Sequence, residues 1–113
     1  MHEASIVQAL LDQVAATARA HGATAVRSLE LRIGELAGVD PELLGLAYQT
    51  FSAGSLCDRA SLHLETIPAR WSCPACQAEI QRGDVLRCPD CGLPARLVAG
   101  GEILLQRIEM EVP

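Results

Sequence analysis

The spacing of apolar residues changes period along the first third of the chain. Residues 4–20 carry apolar side chains at steps of three and four, which predicts an amphipathic helix. The predicted buried face of this helix consists of Ile6, Val7, Leu10, Leu11, Val14 and Ala18. His21 and Gly22 suit the end of the helix, because glycine adopts the left-handed conformation easily. Residues 25–33 alternate instead between apolar and polar side chains, which predicts a half-buried strand.

A second helix is predicted after the glycine-bracketed loop between Gly34 and Gly38. Asp40 suits the N-cap, Pro41 the first helical position and Glu42 the positive end of the helix dipole. The apolar face expected on this helix consists of Leu43, Leu44, Ala47, Tyr48 and Phe51. Gly54 is expected to end the segment.

Two further strands complete the predicted architecture. Residues 61–67 form a short alternating strand that Pro68 closes, and residues 102–112 form the last strand. We expect Leu104, Ile108, Met110 and Val112 to share one face of that last strand. The fold class is therefore α/β, with two helices packed on a three-stranded sheet whose strand order the sequence leaves open. Residues 1–68 plus 99–113 form this predicted domain, called here the α/β half.

Residues 69–98, called here the cysteine module, are predicted to be an inserted zinc-ribbon-like domain. Cys73 and Cys76 form one C-x-x-C pair, and Cys88 and Cys91 form a second pair eleven residues later. This spacing is typical of a tetrahedral zinc site with four thiolates. Gly92 follows the second pair and can take a positive φ, whereas Gln77 holds that place after the first pair. A segment this short rarely folds without a metal, so zinc is expected to fold it.

Two other interpretations of these cysteines stay open at this point. A redox C-x-x-C is one, although such a site follows a strand, opens a helix and needs no second pair. A pair of disulfides is the other, although a reducing compartment disfavours it. Cys57 has no partner at ligand spacing and is expected to be an ordinary part-buried thiol.

Composition narrows the classes of function. The 113 residues carry a net charge of −5, with only three aromatic side chains. An acidic chain without a basic run is a poor binder of nucleic acid, which requires clustered cations. No apolar stretch approaches the roughly 20 residues that span a membrane, and the first residues lack the pattern of a signal peptide. A cytoplasmic location is therefore expected.

The N-terminus offers a different kind of metal site. The amine of Met1, the backbone nitrogen of His2 and the His2 ring form adjoining five- and six-membered chelate rings around one ion. Deprotonated amide donors favour square-planar Ni(II) or Cu(II) over Zn(II), and Glu3 can add a carboxylate. The competing interpretation is that His2 is a frayed, solvated residue. His21 and His63 are expected to be solvated or capping residues.

The whole chain resembles the HypA/HybF family of nickel-insertion accessory proteins for [NiFe] hydrogenase. The residues that carry the resemblance are Met1-His2-Glu3, Leu31-Arg32-Ile33-Gly34-Glu35-Leu36-Ala37-Gly38-Val39, the cysteine pairs ending in Cys88-Pro89-Asp90-Cys91-Gly92, and Ile108-Glu109-Met110-Glu111. Their order and spacing match the family over essentially the full length. Gln77 and Cys57 are the departures that we note.

The resemblance implies a nickel metallochaperone rather than an enzyme. Nickel would bind at Met1, His2 and Glu3, and structural zinc at Cys73, Cys76, Cys88 and Cys91. The implied partners are a HypB-type GTPase and the hydrogenase large-subunit precursor, with urease accessory proteins for some members. A monomer or a homodimer fits the sequence equally. The alternative functions are a zinc-ribbon adaptor without metal delivery and a thiol oxidoreductase that uses Cys73 and Cys76.

Overall fold

A computed structural model describes residues 2–81, 83 and 85–113, with His2 described by its backbone only. Two helices and six strands follow one another in these residues. They are α1 (His2–Ala20), β1 (Ala25–Gly34), α2 (Pro41–Ser52), β2 (Ser61–Ile67), β3 (Arg70–Ser72), β4 (Glu79–Ile80), β5 (Arg96–Ala99) and β6 (Ile103–Glu111). Helix α1 begins two residues earlier than the spacing predicted. No helix in this part of the chain has both the length and the apolarity to cross a membrane.

The predicted α/β architecture is confirmed. Strand β1 lies at the centre of a three-stranded sheet with the order β2-β1-β6. It pairs parallel with β2 and antiparallel with β6. Helix α2 makes the crossover between the two parallel strands, as a parallel pair requires. The alternation in β1 buries Leu29, Leu31 and Ile33 beneath the helices.

Both helices turn their predicted faces toward this sheet. The buried side chains are Val7, Leu10, Val14 and Ala18 of α1 and Leu44 and Tyr48 of α2. Asp40 is the N-cap of α2, because its carboxylate accepts hydrogen bonds from the backbone N–H groups of Glu42 and Leu43. Leu43 and Phe51 differ from the expectation, since they are 50% and 39% exposed. The apolar stripe on α2 is therefore wider than the surface that α1 and the sheet cover.

The predicted face of the last strand is partly wrong. Ile108 and Met110 pack on the core as expected, but Leu104 is 48% exposed. The cause is a β-bulge, since Arg107 pairs with Glu30 while Leu105 pairs with the next residue, Leu31. The extra residue at position 106 shifts the alternation by one, so that the other inward residues are Ile103 and Leu105. Val112 is exposed because β6 ends one residue before it.

The cysteine module contains a second sheet that the sequence did not predict. Its order is β4-β3-β5, and both neighbours pair antiparallel with β3. The two sheets make an elongated molecule of 57 × 28 × 17 Å with a radius of gyration of 17.9 Å. A single compact globule of this length would have a radius of gyration of about 13 Å. The cysteine module therefore projects from the α/β half instead of adding to its core.

Candidate metal centres

The first cysteine pair lies in a tight turn between β3 and β4. The carbonyl oxygen of Cys73 accepts a hydrogen bond from the backbone N–H of Gln77 at 2.9 Å. The backbone N–H of Cys73 donates to the carbonyl oxygen of Ala78, also at 2.9 Å. Gln77 adopts a φ of 62°, and it is the one non-glycine residue with positive φ in the described part of the chain. Gln77 thus adopts the positive φ that glycine adopts more easily, because L side chains disfavour that region.

The second pair repeats this turn. The carbonyl of Cys88 accepts from the N–H of Gly92, and the N–H of Cys88 donates to the carbonyl of Leu93, both at 2.9 Å. Gly92 has a φ of 71°, as its place after the pair predicted. Two equivalent turns therefore present two cysteines each toward a common centre.

The four sulfur atoms of these turns converge. The Sγ atoms of Cys73, Cys76, Cys88 and Cys91 all lie within 4.8 Å of one another. Cys76 and Cys88 are 3.7 Å apart, far longer than a disulfide bond of about 2.05 Å. A tetrahedral ion with Zn–S bonds of about 2.3 Å separates its sulfurs by about 3.8 Å. The arrangement fits a four-thiolate zinc site and gives no support to a pair of disulfides.

Backbone donors and the crowding of sulfurs act on these thiols in opposite directions. The N–H groups of Cys76 and Ala75 lower the pKa of Cys73 to about 6, which favours its thiolate. Hydrogen bonds with the side chains of Cys76, Cys73 and Cys88 raise the pKa of Cys91 to about 12. Four thiolates at this separation repel one another unless a cation lies among them. The cluster therefore has the chemistry of a cation site in which all four sulfurs are deprotonated only with the ion bound.

Little apolar surface supports this cluster. Cys73 and Cys88 are buried together with Ile80, and Trp71 and Ala95 pack against them. Cys76 and Cys91 lie on the exposed side of the cluster. Three buried residues, two of them cysteines, form the entire core that the described residues provide here. The expectation that a metal folds the cysteine module is consistent with this small core.

Two of the three predicted nickel ligands, His2 and Glu3, lie at the start of α1. Met1 is outside the described residues, and His2 is the first residue of the helix. Glu3 lies in the first turn, and its Oε2 accepts a hydrogen bond from the backbone N–H of Asp40 at 3.2 Å. Sequence reasoning missed this contact, because no local signal connects two residues so far apart. The N-terminal turn is thereby held against the start of α2.

Glu3 also borders an exposed apolar groove. The groove has a volume of about 320 Å³ and is lined by Glu3, Leu43, Leu46, Ala47, Thr50 and Phe51. Three of its apolar members, Leu43, Leu46 and Phe51, are residues of α2 that the core leaves exposed. The carboxylate therefore lies at an open surface beside apolar side chains.

His21 and His63 agree with the expected capping and solvated roles, whereas Cys57 is more deeply buried than the part-buried thiol that was expected. The His21 ring nitrogen Nδ1 lies 2.9 Å from the carbonyl oxygen of Thr17, at the end of α1. His63 is exposed on β2 beside Glu30, Glu65 and Glu109. Cys57 is buried in the core of the α/β half, where burial raises the pKa of its thiol.

Comparisons with known proteins agree with the resemblance seen in the sequence. Residues 1–110 match the family model described as hydrogenase/urease nickel incorporation, metallochaperone, HypA. The chain is 43% identical to the hydrogenase maturation factor HypA of Nitrosospira multiformis, over 97% of each chain. It is 36% identical to the factor of that name from Aquifex aeolicus, over 99% of each chain.

Solved structures match over a similar extent. The solution structure of the Ni metallochaperone HypA from Helicobacter pylori superposes with a TM-score of 0.77 and 25% identity, covering 98% of each chain. A second solution structure of a HypA protein gives a TM-score of 0.81 and 26% identity, covering 100% of this chain and 98% of the other. The likeness thus includes the α/β half, the cysteine module and the residues at the N-terminus.

Proposed function

The chain belongs to the HypA family of hydrogenase and urease nickel-incorporation metallochaperones, and on that basis we propose that it carries Ni(II) at its N-terminus for delivery to a hydrogenase precursor. The observation that carries this proposal is the family match over residues 1–110, which includes His2 and Glu3. Delivery forms and breaks only coordination bonds to nickel and changes no covalent bond of a substrate, so the proposal describes a carrier and not an enzyme.

The ligands in this proposal are Met1, His2 and Glu3. The amide nitrogen of His2 lies at the first residue of α1, where backbone N–H groups have no acceptor within the helix. That nitrogen is therefore free of the helical hydrogen-bond pattern and can join the Met1 amine and the His2 ring around a square-planar ion. The helix dipole disfavours a cation at this end, and the Glu3 carboxylate offsets part of that effect. Moderate affinity is the expected result, which suits release.

We assign zinc to Cys73, Cys76, Cys88 and Cys91, where it would link the two turns. The separation of Cys76 and Cys88 supports this assignment. Four protein ligands leave no open coordination position for catalysis, so the role of the zinc is structural.

The proposal divides the chain into a nickel-binding domain of residues 1–68 and 99–113 and a zinc domain of residues 69–98. Its partners are a HypB-type GTPase, which supplies any GTP hydrolysis, and the large-subunit precursor of [NiFe] hydrogenase. Urease accessory proteins are further partners, because the family description includes urease. We place the delivery in the cytoplasm, where reduced thiolates persist as zinc ligands.

Calorimetric titration of Ni(II) into untagged, zinc-loaded protein tests the proposed site. The native protein is expected to bind nickel, whereas His2→Ala and a copy extended by a few N-terminal residues are expected to lose this binding. His63→Ala is the matched control, because it removes an exposed imidazole far along the chain from the terminus.

Equal nickel binding by the native and extended proteins would contradict the proposed ligands. Loss of binding in His63→Ala but not in His2→Ala would move the nickel site to the open face of the sheet. No binding by any of the proteins would favour the zinc-ribbon adaptor. Hydrogenase activity in cells that carry His2→Ala then tests delivery, and an unchanged activity would overturn it.

A further inference from the structure

Three backbone segments cross at the base of the cysteine module. They are residues 34–36 after β1, residues 67–69 after β2 and residues 100–102 before β6. The N–H of Glu35 donates to the carbonyl of Ile67, and the N–H of Leu36 donates to the carbonyl of Gly100, both at 2.8 Å. The loop after β1 therefore makes hydrogen bonds both to the segment that enters the module and to the segment that leaves it.

The crossing is too close for side chains. A Cβ atom on Gly34 would lie 2.3 Å from the carbonyl carbon of Gly100. A Cβ atom on Gly100 would lie 2.6 Å from the Cα of Ala69, and Gly100 has a φ of 88°. Only glycine permits these two contacts, so the segments pack backbone against backbone.

This packing leaves one buried backbone donor that secondary structure does not satisfy. Ala69 is 5% exposed and lies between β2 and β3. Its N–H donates to Oε1 of Glu35 at 2.8 Å. A buried N–H without an acceptor costs about 1–3 kcal/mol, so the carboxylate oxygen satisfies a demand that the close crossing creates.

We propose that Glu35 is a positioning residue that fixes the orientation of the cysteine module relative to the N-terminal turn. Its backbone N–H holds the end of β2, and its side chain holds the first residue of the module. One residue thus spans the junction with two hydrogen bonds in different directions, which opposes rotation about either one.

The same loop connects the junction to the first turn of α1 through Asp40 and Glu3. Residues 36–39 connect this junction to Asp40, whose N–H donates to Glu3. A rigid junction therefore holds the cysteine module in one direction relative to Glu3. The functional part of this inference rests on the proposed nickel site. Only if nickel binds there does the fixed orientation place the module relative to the bound ion.

Residual dipolar couplings of zinc-loaded protein without nickel test the orientation. In the native protein, one alignment tensor is expected to fit the amides of β1, β2 and β6 together with those of β3–β5. Glu35→Ala is expected to lose this common fit and to reduce the alignment of the module. Glu35→Gln retains an acceptor oxygen and is expected to restore the native fit. Glu42→Ala is the control, because it removes an exposed carboxylate outside the junction.

Three outcomes would overturn the proposal: an unchanged common tensor in Glu35→Ala, an equal loss in Glu35→Gln, or an equal loss in Glu42→Ala. The zinc content and the amide shifts within each sheet are expected to stay native in all three variants, which separates reorientation from unfolding. Because no nickel is present, a failure of the nickel proposal leaves this result unaffected.

Discussion

The α/β half and the cysteine module reach stability in different ways. Twelve buried residues from the two helices, the sheet and the connection between α2 and β2 form the core of the α/β half in the described part of the chain. Each fully buried aliphatic side chain there contributes about 1.5–3 kcal/mol. The core cluster of the cysteine module consists of Ile80 and two cysteines in the described part of the chain. One region is thus held by apolar burial, whereas the other has little apolar core and a cluster of four sulfurs that could hold a metal ion.

Under the proposed function, the two regions would bind two different metals at separate sites. The cluster of Cys73, Cys76, Cys88 and Cys91 takes a tetrahedral ion with soft ligands, and its sulfurs are already gathered by two turns. The proposed nickel ligands are nitrogen donors at an open helix end. In this proposal, ligand type and geometry would distinguish the retained zinc from the transported nickel.

Removal of the zinc assigned to the four cysteines is expected to have the largest effect on folding and to show the difference between the two regions most clearly. Structural zinc sites contribute about 10 kcal/mol or more to folding, so chelation is expected to unfold the cysteine module while the α/β half stays folded. Trp71, the single tryptophan, lies in β3 and reports on the module by its fluorescence. Both helices lie in the α/β half, so helical circular dichroism reports on that half.

The expected result is a large change of Trp71 fluorescence with little change of the helical signal. Cys88→Ser is expected to act like chelation, whereas Cys57→Ser is the control because Cys57 lies in the other core. Loss of both signals together on chelation would show that the two regions fold as one unit, and the comparison would then fail.

A core substitution in the α/β half tests the other side of the comparison. Leu29 is fully buried in the central strand, so Leu29→Ala is expected to lower the free energy of unfolding of this half by about 3 kcal/mol. Urea unfolding followed by helical circular dichroism measures this change. Leu36→Ala is the control, since Leu36 is 53% exposed and its truncation is expected to cost less than about 0.5 kcal/mol. The cobalt-substituted cysteine site should keep its thiolate spectrum in both variants, and a lost spectrum would mean that this site depends on the distant core.

The sequence predicted those parts of the fold that short-range patterns determine. Leu29, Leu31 and Ile33 mark β1, Asp40 and Pro41 mark the start of α2, and the C-x-x-C pairs mark the sulfur cluster with its turn at Gln77. In each of these cases the interaction joins residues within a few positions of one another. Such patterns are visible without knowledge of the partner elements.

Features that depend on how distant segments meet were missed or wrong. The bulge at position 106 reversed the expected exposure of Leu104, because a single extra residue puts the alternation before it out of phase with the alternation after it. The hydrogen bond from Asp40 to Glu3 joins residues 37 positions apart. The role of Glu35 at the junction follows from the close approach of Gly34 and Gly100, which only the assembled fold brings together.

The smallest expected effect concerns the one tyrosine, which lies in the core of the α/β half. The Tyr48 hydroxyl donates to the carbonyl oxygens of Ala60 at 3.2 Å and Cys57 at 3.4 Å. Tyr48→Phe removes these bonds while keeping the ring, so a loss of about 1 kcal/mol is expected in the unfolding free energy of this half. Urea unfolding near neutral pH measures it, and Trp71 fluorescence in the zinc-loaded protein should not change.

The pH dependence of Tyr48 sharpens this test. Burial raises the pKa of Tyr48 from its usual 10 to about 12, because the core disfavours the phenolate. A raised pKa stabilises the folded state fully below pH 10 and progressively less as the pH rises toward 12. The phenolate absorbance should therefore appear with a midpoint near 12 in the folded protein, and the stability lost between those values should be smaller in Tyr48→Phe. A midpoint near 10 in folded protein would show that water reaches the hydroxyl, and the α/β half would then have a looser core than its burial implies.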